Sequence, residues 1–124
     1  MRFLDNSGNW SQWDSLPSAI LHAPSAPGIY VIGRREFSFG LPAEPIWAYI
    51  GRSDNLKRRL REHLPINEMN SGLRNWLLNT REKIEVWYQQ TTAHQSRQLE
   101  RNLVRGLEPL FNEIKFKGDF ADEY

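Results

Sequence analysis

Apolar residues along this chain recur at the spacings of helices and strands. Leu56, Leu60 and Leu64 recur every fourth residue, which predicts one apolar stripe of a helix. The residues just before it, 46–50, are mostly β-branched or aromatic, and the run stops at Gly51. Such a run predicts a strand. The sequence is therefore organised around a strand that leads directly into a helix.

Polar residues mark the two ends of the predicted helix. Ser53 or Asp54 is expected to cap its first turn, because a side-chain oxygen there can accept a free backbone N–H. Pro65 is expected to end the helical pattern. A second stripe of four-residue spacing runs beside the leucines and contains Asn55, Arg59 and His63.

The remaining elements follow from the same periodicities. Residues 28–32 predict a first strand, and residues 37–45 predict a loop to the second. Ser71 is expected to cap a further helix, and the alternation over 83–91 predicts a half-covered third strand. Residues 94–107 predict the last helix, which Pro109 ends. Its inward residues are expected to be Leu99, Leu103, Val104 and Leu107.

The first 27 residues read as an extension of the main domain. Trp13 and the apolar residues after it fit helical spacing, although Pro17 limits where a helix can start. Two prolines within 23–27 predict an extended linker, and the tryptophans are expected to pack on the core. We therefore expect an extension over 1–27 and a domain over 28–124. The predicted fold is α/β (α+β), a three-stranded, mainly antiparallel sheet flanked by helices in the order β-β-α-α-β-α.

Composition limits the class of protein. A chain of 124 residues with 40% hydrophobic and 25% charged residues is typical of one globular domain. It has no cysteine, which excludes disulfides and thiolate metal sites. No signal peptide and no apolar run near 18 residues is recognised. We therefore expect a cytoplasmic, nucleoid-associated protein without a membrane partner.

Charge is concentrated in one segment. The formal net charge is +1, but residues 52–63 hold five Lys or Arg against two acidic residues. A basic helix on a nearly neutral domain suits contact with phosphate groups, although a solvated helix face gives the same pattern. The candidates for phosphate contact are Arg52, Lys57 and Arg58.

Six polar positions are candidates for chemistry, and each has an ordinary alternative. The aromatic pair usually packs within a sheet, the Arg and His can be solvated, and the Asn can be a turn residue. Glu100 lies at the edge of an apolar helix face and needs a cation, a hydrogen-bond network or a metal. Its alternative is a salt bridge to Arg97 or Arg59. The six are Tyr30, Tyr49, Arg59, His63, Glu100 and Asn112.

These positions together resemble the GIY-YIG nuclease family. The motifs are Gly-Ile-Tyr at 28–30, Tyr-Ile-Gly at 49–51, and an arginine and histidine on the following helix. Glu100 and Asn112 stand where that family keeps a glutamate and a later asparagine. The resemblance covers about residues 27–113. It implies a three-stranded sheet flanked by helices and divalent-metal-dependent cleavage of phosphodiester bonds in nucleic acid.

The resemblance also implies roles for these side chains. Glu100 would hold one Mg²⁺ or Mn²⁺, which the substrate phosphate completes, and Arg59 would bind phosphate oxygens. Tyr30 is expected to accept the proton of the attacking water, and Tyr49 to orient it. His63 has the more convenient pKa for a base, and the alternative is that it positions Tyr49 or a phosphate. Asn112 would orient a water, the phosphate or a neighbouring side chain.

Two classes of function remain open from the sequence. The first is a metal-dependent DNA endonuclease that reads backbone or shape rather than sequence. The alternative is a non-catalytic nucleic-acid-binding module, or a nuclease subunit targeted by a partner. The expected partner is DNA, with branched or nicked DNA as candidate forms, and a homodimer or another protein could supply targeting.

Overall fold

A computed structural model describes residues 10–80 and 84–112. They form four strands and four helices. In chain order these are β1 (Ser11–Trp13), α1 (Leu16–His22), β2 (Gly28–Ser38), β3 (Leu41–Ser53), α2 (Leu56–Glu62), α3 (Ser71–Thr80), β4 (Ile84–Gln90) and α4 (Ala93–Leu107).

The described strands form one sheet in the order β1-β4-β2-β3, and every neighbouring pair is antiparallel. The predicted fold class is confirmed, but the predicted count of three strands is wrong. The fourth strand is β1, which pairs with β4 through Ser11 opposite Tyr88 and Trp13 opposite Val86. Three residues are too few to produce a recognisable alternation, so periodicity assigned Trp13 to a helix.

Both faces of the sheet are covered. The first face packs against α1, α2 and α3, and its core includes Tyr30, Ile32 and Val86. The second face packs against α4, through residues that include Ile29 and Val31. The two tryptophans of the described N-terminal segment, Trp10 and Trp13, pack against these cores as predicted. In the described ranges no helix has both the length and the apolar character needed to cross a bilayer.

Strand β4 was predicted to be half-covered, and the structure corrects this. Its first five residues, Ile84–Tyr88, are all buried. They include Glu85, whose side chain would ordinarily face solvent. The reason is its position between β1 and β2 with helices on both faces, which the alternation of the sequence does not reveal.

The predicted loop over 37–45 is instead part of a long hairpin. β2 continues to Ser38 and β3 starts at Leu41, so only Phe39 and Gly40 form the turn. Both turn residues have positive φ, 54° and 79° respectively. Such a two-residue turn matches the twist of the paired strands, and glycine tolerates this backbone well.

The helix boundaries agree with the predictions to within a few residues, but two predicted caps shift. Asn55, not Ser53 or Asp54, caps α2 by accepting the Arg58 N–H at 3.0 Å. For α3 the Leu73 N–H is accepted by Asn70 rather than by Ser71. In both cases an asparagine next to the predicted residue provides the oxygen. The last helix ends at Leu107, before Pro109, as predicted.

Gly28 should be intolerant of a side chain. A Cβ there would clash with the backbone oxygen of Gln89 on the neighbouring strand and with Leu56 of α2. We expect Gly28→Ala to lower the free energy of unfolding by about 1–3 kcal/mol in urea denaturation. Gly106→Ala is the control, because a Cβ at Gly106 meets nothing within 4 Å. It should be neutral or stabilising by up to about 1 kcal/mol, and equal stability of the two variants would contradict this packing.

Candidate active site

The two motif tyrosines are diagonal neighbours on β2 and β3. Tyr30 is paired with Gly51, and Tyr49 with Ile32, two positions along the same strands. Cross-strand partners share a face, so both rings lie on the same side of the sheet, with centroids 6.3 Å apart. A bulge leaves Ala48 between Tyr49, which pairs with Ile32, and Trp47, which pairs with Gly33.

Gly51 makes room for the first tyrosine. A Cβ at this position would overlap the Tyr30 ring and its hydroxyl oxygen. The glycine of the second motif therefore accommodates the tyrosine of the first. The two triplets are parts of a single packing arrangement rather than separate signatures.

His63 joins the tyrosines from the end of α2. It is the C-cap residue of that helix and is fully buried. Its Nε2 lies 2.7 Å from the Tyr30 hydroxyl oxygen, and its ring centroid is 5.2 Å from that of Tyr30 and 5.0 Å from that of Tyr49. The structure therefore brings together three of the six predicted residues in one aromatic cluster.

Glu68 completes this cluster, although no sequence pattern indicated it. Its Oε1 lies 2.5 Å from His63 Nδ1, and its Oε2 accepts the Asn70 N–H at 3.0 Å. The residue is buried in the segment that connects α2 with α3. Neither helical spacing nor a motif links it to His63, since the contact depends on how the chain turns after Pro65.

Arg59 and Tyr49 line an open pocket beside the cluster. The pocket has a volume of about 260 Å³, and the 67–70 segment forms part of its wall. Arg59 donates a hydrogen bond to Tyr49 and pairs with Glu62 at 3.1 Å. Its remaining donors are in position for an anionic group in the pocket. The lining residues are Tyr49, Arg59, Glu62, Asn67, Glu68, Met69 and Asn70.

The two phenols differ in their access to this pocket. Tyr30 has 0% exposed surface, and burial raises its pKa well above the usual value despite the opposing charge of Arg59. Tyr49 is only partly buried, and burial raises its pKa while the charge and hydrogen bond of Arg59 lower it. A group without exposed surface cannot contact water in the pocket. The geometry therefore favours Tyr49, rather than Tyr30, as the phenol that meets a ligand.

His63 and Glu68 also have shifted pKa values. Burial lowers the pKa of His63, and the hydrogen bond to Glu68 opposes this only in part. Burial alone would raise the pKa of Glu68, but the hydrogen bonds from His63 and the Asn70 N–H lower it below its usual value. At neutral pH the pair is therefore an ionised carboxylate beside a neutral imidazole.

Glu100 lies on α4 and forms an ion pair with Arg52. The Arg52 Nε to Glu100 Oε1 distance is 3.2 Å, so neither Arg97 nor Arg59, the partners considered from sequence, holds it. Burial raises the pKa of this carboxyl, and Arg52 opposes the shift. The charge of Glu100 in turn raises the pKa of both motif tyrosines, so it acts on the cluster even though it is not part of the pocket wall.

Asn112 binds the backbone of β3 through its side-chain amide. Its Oδ1 accepts the Ile50 N–H at 2.9 Å, and its Nδ2 donates to the Ile50 carbonyl at 2.7 Å. The preceding residues, 110–111, also donate backbone hydrogen bonds to β3. Because both amide atoms bind the backbone beside Tyr49, Asn112 holds the outer edge of β3. This bidentate contact occupies both amide atoms, and a role in orienting water, the phosphate or a neighbouring side chain stays a prediction.

The predicted phosphate ligands are only partly available. Lys57 donates to the carbonyls of Ile20 and Leu21 at 2.6 and 3.0 Å, so its ammonium binds the end of α1 rather than a ligand. The predicted phosphate contact of Lys57 stays a prediction. Arg58 is exposed and pairs with Asp54 at 2.6 Å, and Arg52 is shared with Glu100.

The chain is similar in sequence to part of a known protein. The chain is 31% identical over 112 residues to the UvrABC system protein C of Aquifex aeolicus, covering 85% of this chain. It spans only 18% of the length of that relative. The match concerns one domain-sized part of a much longer protein.

The fold is shared with a solved structure. The N-terminal GIY-YIG endonuclease domain of UvrC from Thermotoga maritima, bound to magnesium, has a TM-score of 0.55 and 24% identity. That alignment covers 78% of this chain and 94% of the other. The chain has the fold of this GIY-YIG domain. The resemblance inferred from the motifs is thereby confirmed.

Other GIY-YIG structures of the same Thermotoga maritima domain match equally well. One carries an asparagine-to-alanine substitution and is bound to its catalytic divalent cation. It has a TM-score of 0.56 and 22% identity, covering 80% of this chain and 96% of the other. No family model matches the chain.

The neutral state of His63 predicts a pH dependence of stability. An ordinary histidine titrates near pH 6.5, so the unfolded chain takes up a proton there that folded His63 does not. The free energy of unfolding should therefore fall between about pH 7 and pH 5, by up to about 1.4 kcal/mol per pH unit. The lowered pKa of His63 already includes the effects of its charged neighbours Arg59, Glu62 and Glu68.

Chemical denaturation at several pH values checks this. His63→Gln should flatten the decrease between pH 7 and pH 5, because the titrating group is gone. The other two histidines, His22 and His94, are present in both proteins, so a difference between the two slopes comes from residue 63. The same slope in both proteins would contradict a neutral, buried His63.

Proposed function

We propose that this chain is a divalent-metal-dependent endonuclease that hydrolyses phosphodiester bonds in DNA. The observation that carries the proposal is the shared pocket of Tyr49 and Arg59, backed by the buried Tyr30–His63–Glu68 chain. The related UvrC domain supports it, since that protein is an endonuclease domain bound to its catalytic divalent cation. A module that only binds nucleic acid would not need the buried, hydrogen-bonded Tyr30, His63 and Glu68 behind its pocket.

Arg59 is the proposed phosphate ligand. Its guanidinium faces the pocket between Tyr49 and Glu62 and is positioned for charge-assisted hydrogen bonds to phosphate oxygens. Such donors stabilise the charge that develops on the phosphate during hydrolysis. Glu62 neutralises Arg59 in the free protein and would be displaced as the phosphate enters.

Glu100 is the proposed metal ligand. The described residues contain no cluster of three or more His, Asp or Glu side chains that could hold an ion alone. Mg²⁺ is commonly bound through one or two carboxylates, its own waters and a substrate phosphate, so the single carboxylate of Glu100 fits this ion or Mn²⁺. The bound ion would supply positive charge at the phosphate and lower the pKa of a coordinated water.

Tyr49 is the proposed pocket phenol, and Tyr30 supports it from behind. The hydrogen bond from Arg59 orients the Tyr49 hydroxyl and favours its ionised form. Tyr49 is thus suited to orient the attacking water and accept its proton. Tyr30 is hydrogen-bonded to His63 and so links β2 to the end of α2 behind the pocket.

Substrate form and targeting are further parts of the proposal. Met69, which lines the pocket, is 93% exposed, and Ile66, just before the 67–70 segment, is 91% exposed. Such apolar side chains can contact unstacked bases. This favours branched or nicked DNA over an intact duplex. We also propose that a homodimer or a partner protein targets the nuclease. Its proposed place of action is the cytoplasm, at the nucleoid.

Glu100→Gln should abolish cleavage without abolishing binding. We expect it to reduce the nicking of supercoiled or branched DNA in Mg²⁺ or Mn²⁺ by more than about 100-fold, because the ion loses its carboxylate. EDTA should have the same effect on the wild-type chain. Glu44→Gln, which removes one charge from the exposed hairpin, is the control and should cleave normally. DNA binding without any nicking by the wild-type chain would favour the binding module instead.

The two tyrosine variants should differ in severity. Tyr49→Phe is expected to lower kcat by about 100-fold or more, since proton transfer by a positioned group contributes at least that much. Tyr30→Phe should have a smaller effect on kcat and a larger effect on stability, because its hydroxyl acts inside the core. Single-turnover cleavage and urea denaturation of both variants measure this. A greater loss of kcat in Tyr30→Phe would overturn the assignment.

A further inference from the structure

Glu68 is a buried carboxylate whose oxygens are both occupied. Oε1 faces His63 Nδ1 at 2.5 Å, and Oε2 accepts the Asn70 N–H at 3.0 Å. A buried carboxylate is costly unless it is fully paired, so its presence here needs a reason. Neither the motifs nor the metal site requires it.

The contacts determine which nitrogen of His63 carries the proton. An ionised carboxylate can only accept hydrogen bonds, so the His63 nitrogen beside it must be Nδ1–H. In the neutral ring Nε2 is then an acceptor. Because Nε2 lies 2.7 Å from the Tyr30 hydroxyl oxygen, the hydroxyl must be the donor in that bond. Glu68 therefore sets the direction of both hydrogen bonds, the one from His63 to Glu68 and the one from the Tyr30 hydroxyl to His63.

The same residue anchors one wall of the pocket. Glu68 lies between Asn67 and Met69, and all three line the pocket together with Asn70. Asn70 in turn donates to the Phe111 carbonyl at 2.9 Å, which ties the segment to the chain that follows α4. Releasing Glu68 would therefore loosen both His63 and the wall that faces Arg59.

We propose that Glu68 is a positioning residue of this site. It fixes His63 in the Nδ1–H tautomer, whose Nε2 accepts a hydrogen bond from the Tyr30 hydroxyl. It also holds the 67–70 wall of the pocket. The proposal deepens the nuclease function and rests on it for its catalytic consequence. Glu68 contacts neither the substrate nor the ion in this account. It acts through His63 and the pocket wall.

Nitrogen-15 NMR of the histidine rings tests the tautomer independently of activity. The chain has three histidines, and comparison with His63→Gln assigns the signal of His63. We expect Nδ1 of His63 to be protonated and Nε2 to be unprotonated at neutral pH in the wild-type chain. A protonated Nε2 would overturn the proposal, whether or not the chain cleaves DNA.

Glu68→Gln tests the consequence for cleavage. The amide of Gln can donate as well as accept, so it no longer selects one tautomer. We expect a mixture of His63 tautomers and a fall in kcat of about 10- to 100-fold, the usual cost of losing an orienting partner. The Kd for DNA, measured with Mg²⁺ replaced by Ca²⁺, should change by less than about 3-fold. Glu44→Gln again serves as the charge-matched control.

The results separate the two hypotheses. Wild-type kcat in Glu68→Gln would contradict the positioning role, whereas a wild-type chain that fails to nick DNA would contradict the proposed function. If Glu68→Gln does not fold, the tautomer measured in the wild-type chain still decides the role of Glu68.

Discussion

Burial of the Tyr30 hydroxyl is the constraint on which the rest of the site depends. This group has no exposed surface, and a buried hydroxyl without a partner costs about 1–3 kcal/mol. His63 supplies the partner, and the second nitrogen of that ring then requires Glu68. One strand, the end of one helix and the segment after it must therefore converge. Their convergence creates the wall of the pocket that contains Tyr49 and Arg59.

Helix α2 satisfies this constraint with one polar stripe that is used in three ways. Asn55 caps the first turn, Arg59 faces the pocket, and His63 enters the core at the last turn. The leucines of the neighbouring stripe bury the helix against the sheet. Lys57 binds the carbonyls at the end of α1 and so fixes the orientation of α2 from its outer side. The basic helix α2 therefore both connects α1 to the sheet and provides the candidate phosphate ligand Arg59.

Sequence reasoning located much of this arrangement and failed where contacts depend on tertiary structure. Helical spacing and the two motifs identified Tyr30, Tyr49, Arg59 and His63, because regular elements put them at fixed positions. No local signal indicated Glu68, since its contact with His63 is made by an irregular segment. Other local patterns misled: alternation could not reveal that both faces of β4 are covered, and three residues were too few to indicate β1. The positive charge of Lys57 suggested a ligand, whereas its contacts give it a structural role.

A double-mutant cycle between Tyr30 and His63 tests the central claim most directly. Urea denaturation of the wild-type chain, Tyr30→Phe, His63→Leu and the double variant gives the interaction energy of the pair. The account predicts a coupling of about 1 kcal/mol or more in the free energy of unfolding, because each single variant leaves the other buried polar atom without its partner. Additive effects, with a coupling below about 0.3 kcal/mol, would contradict it.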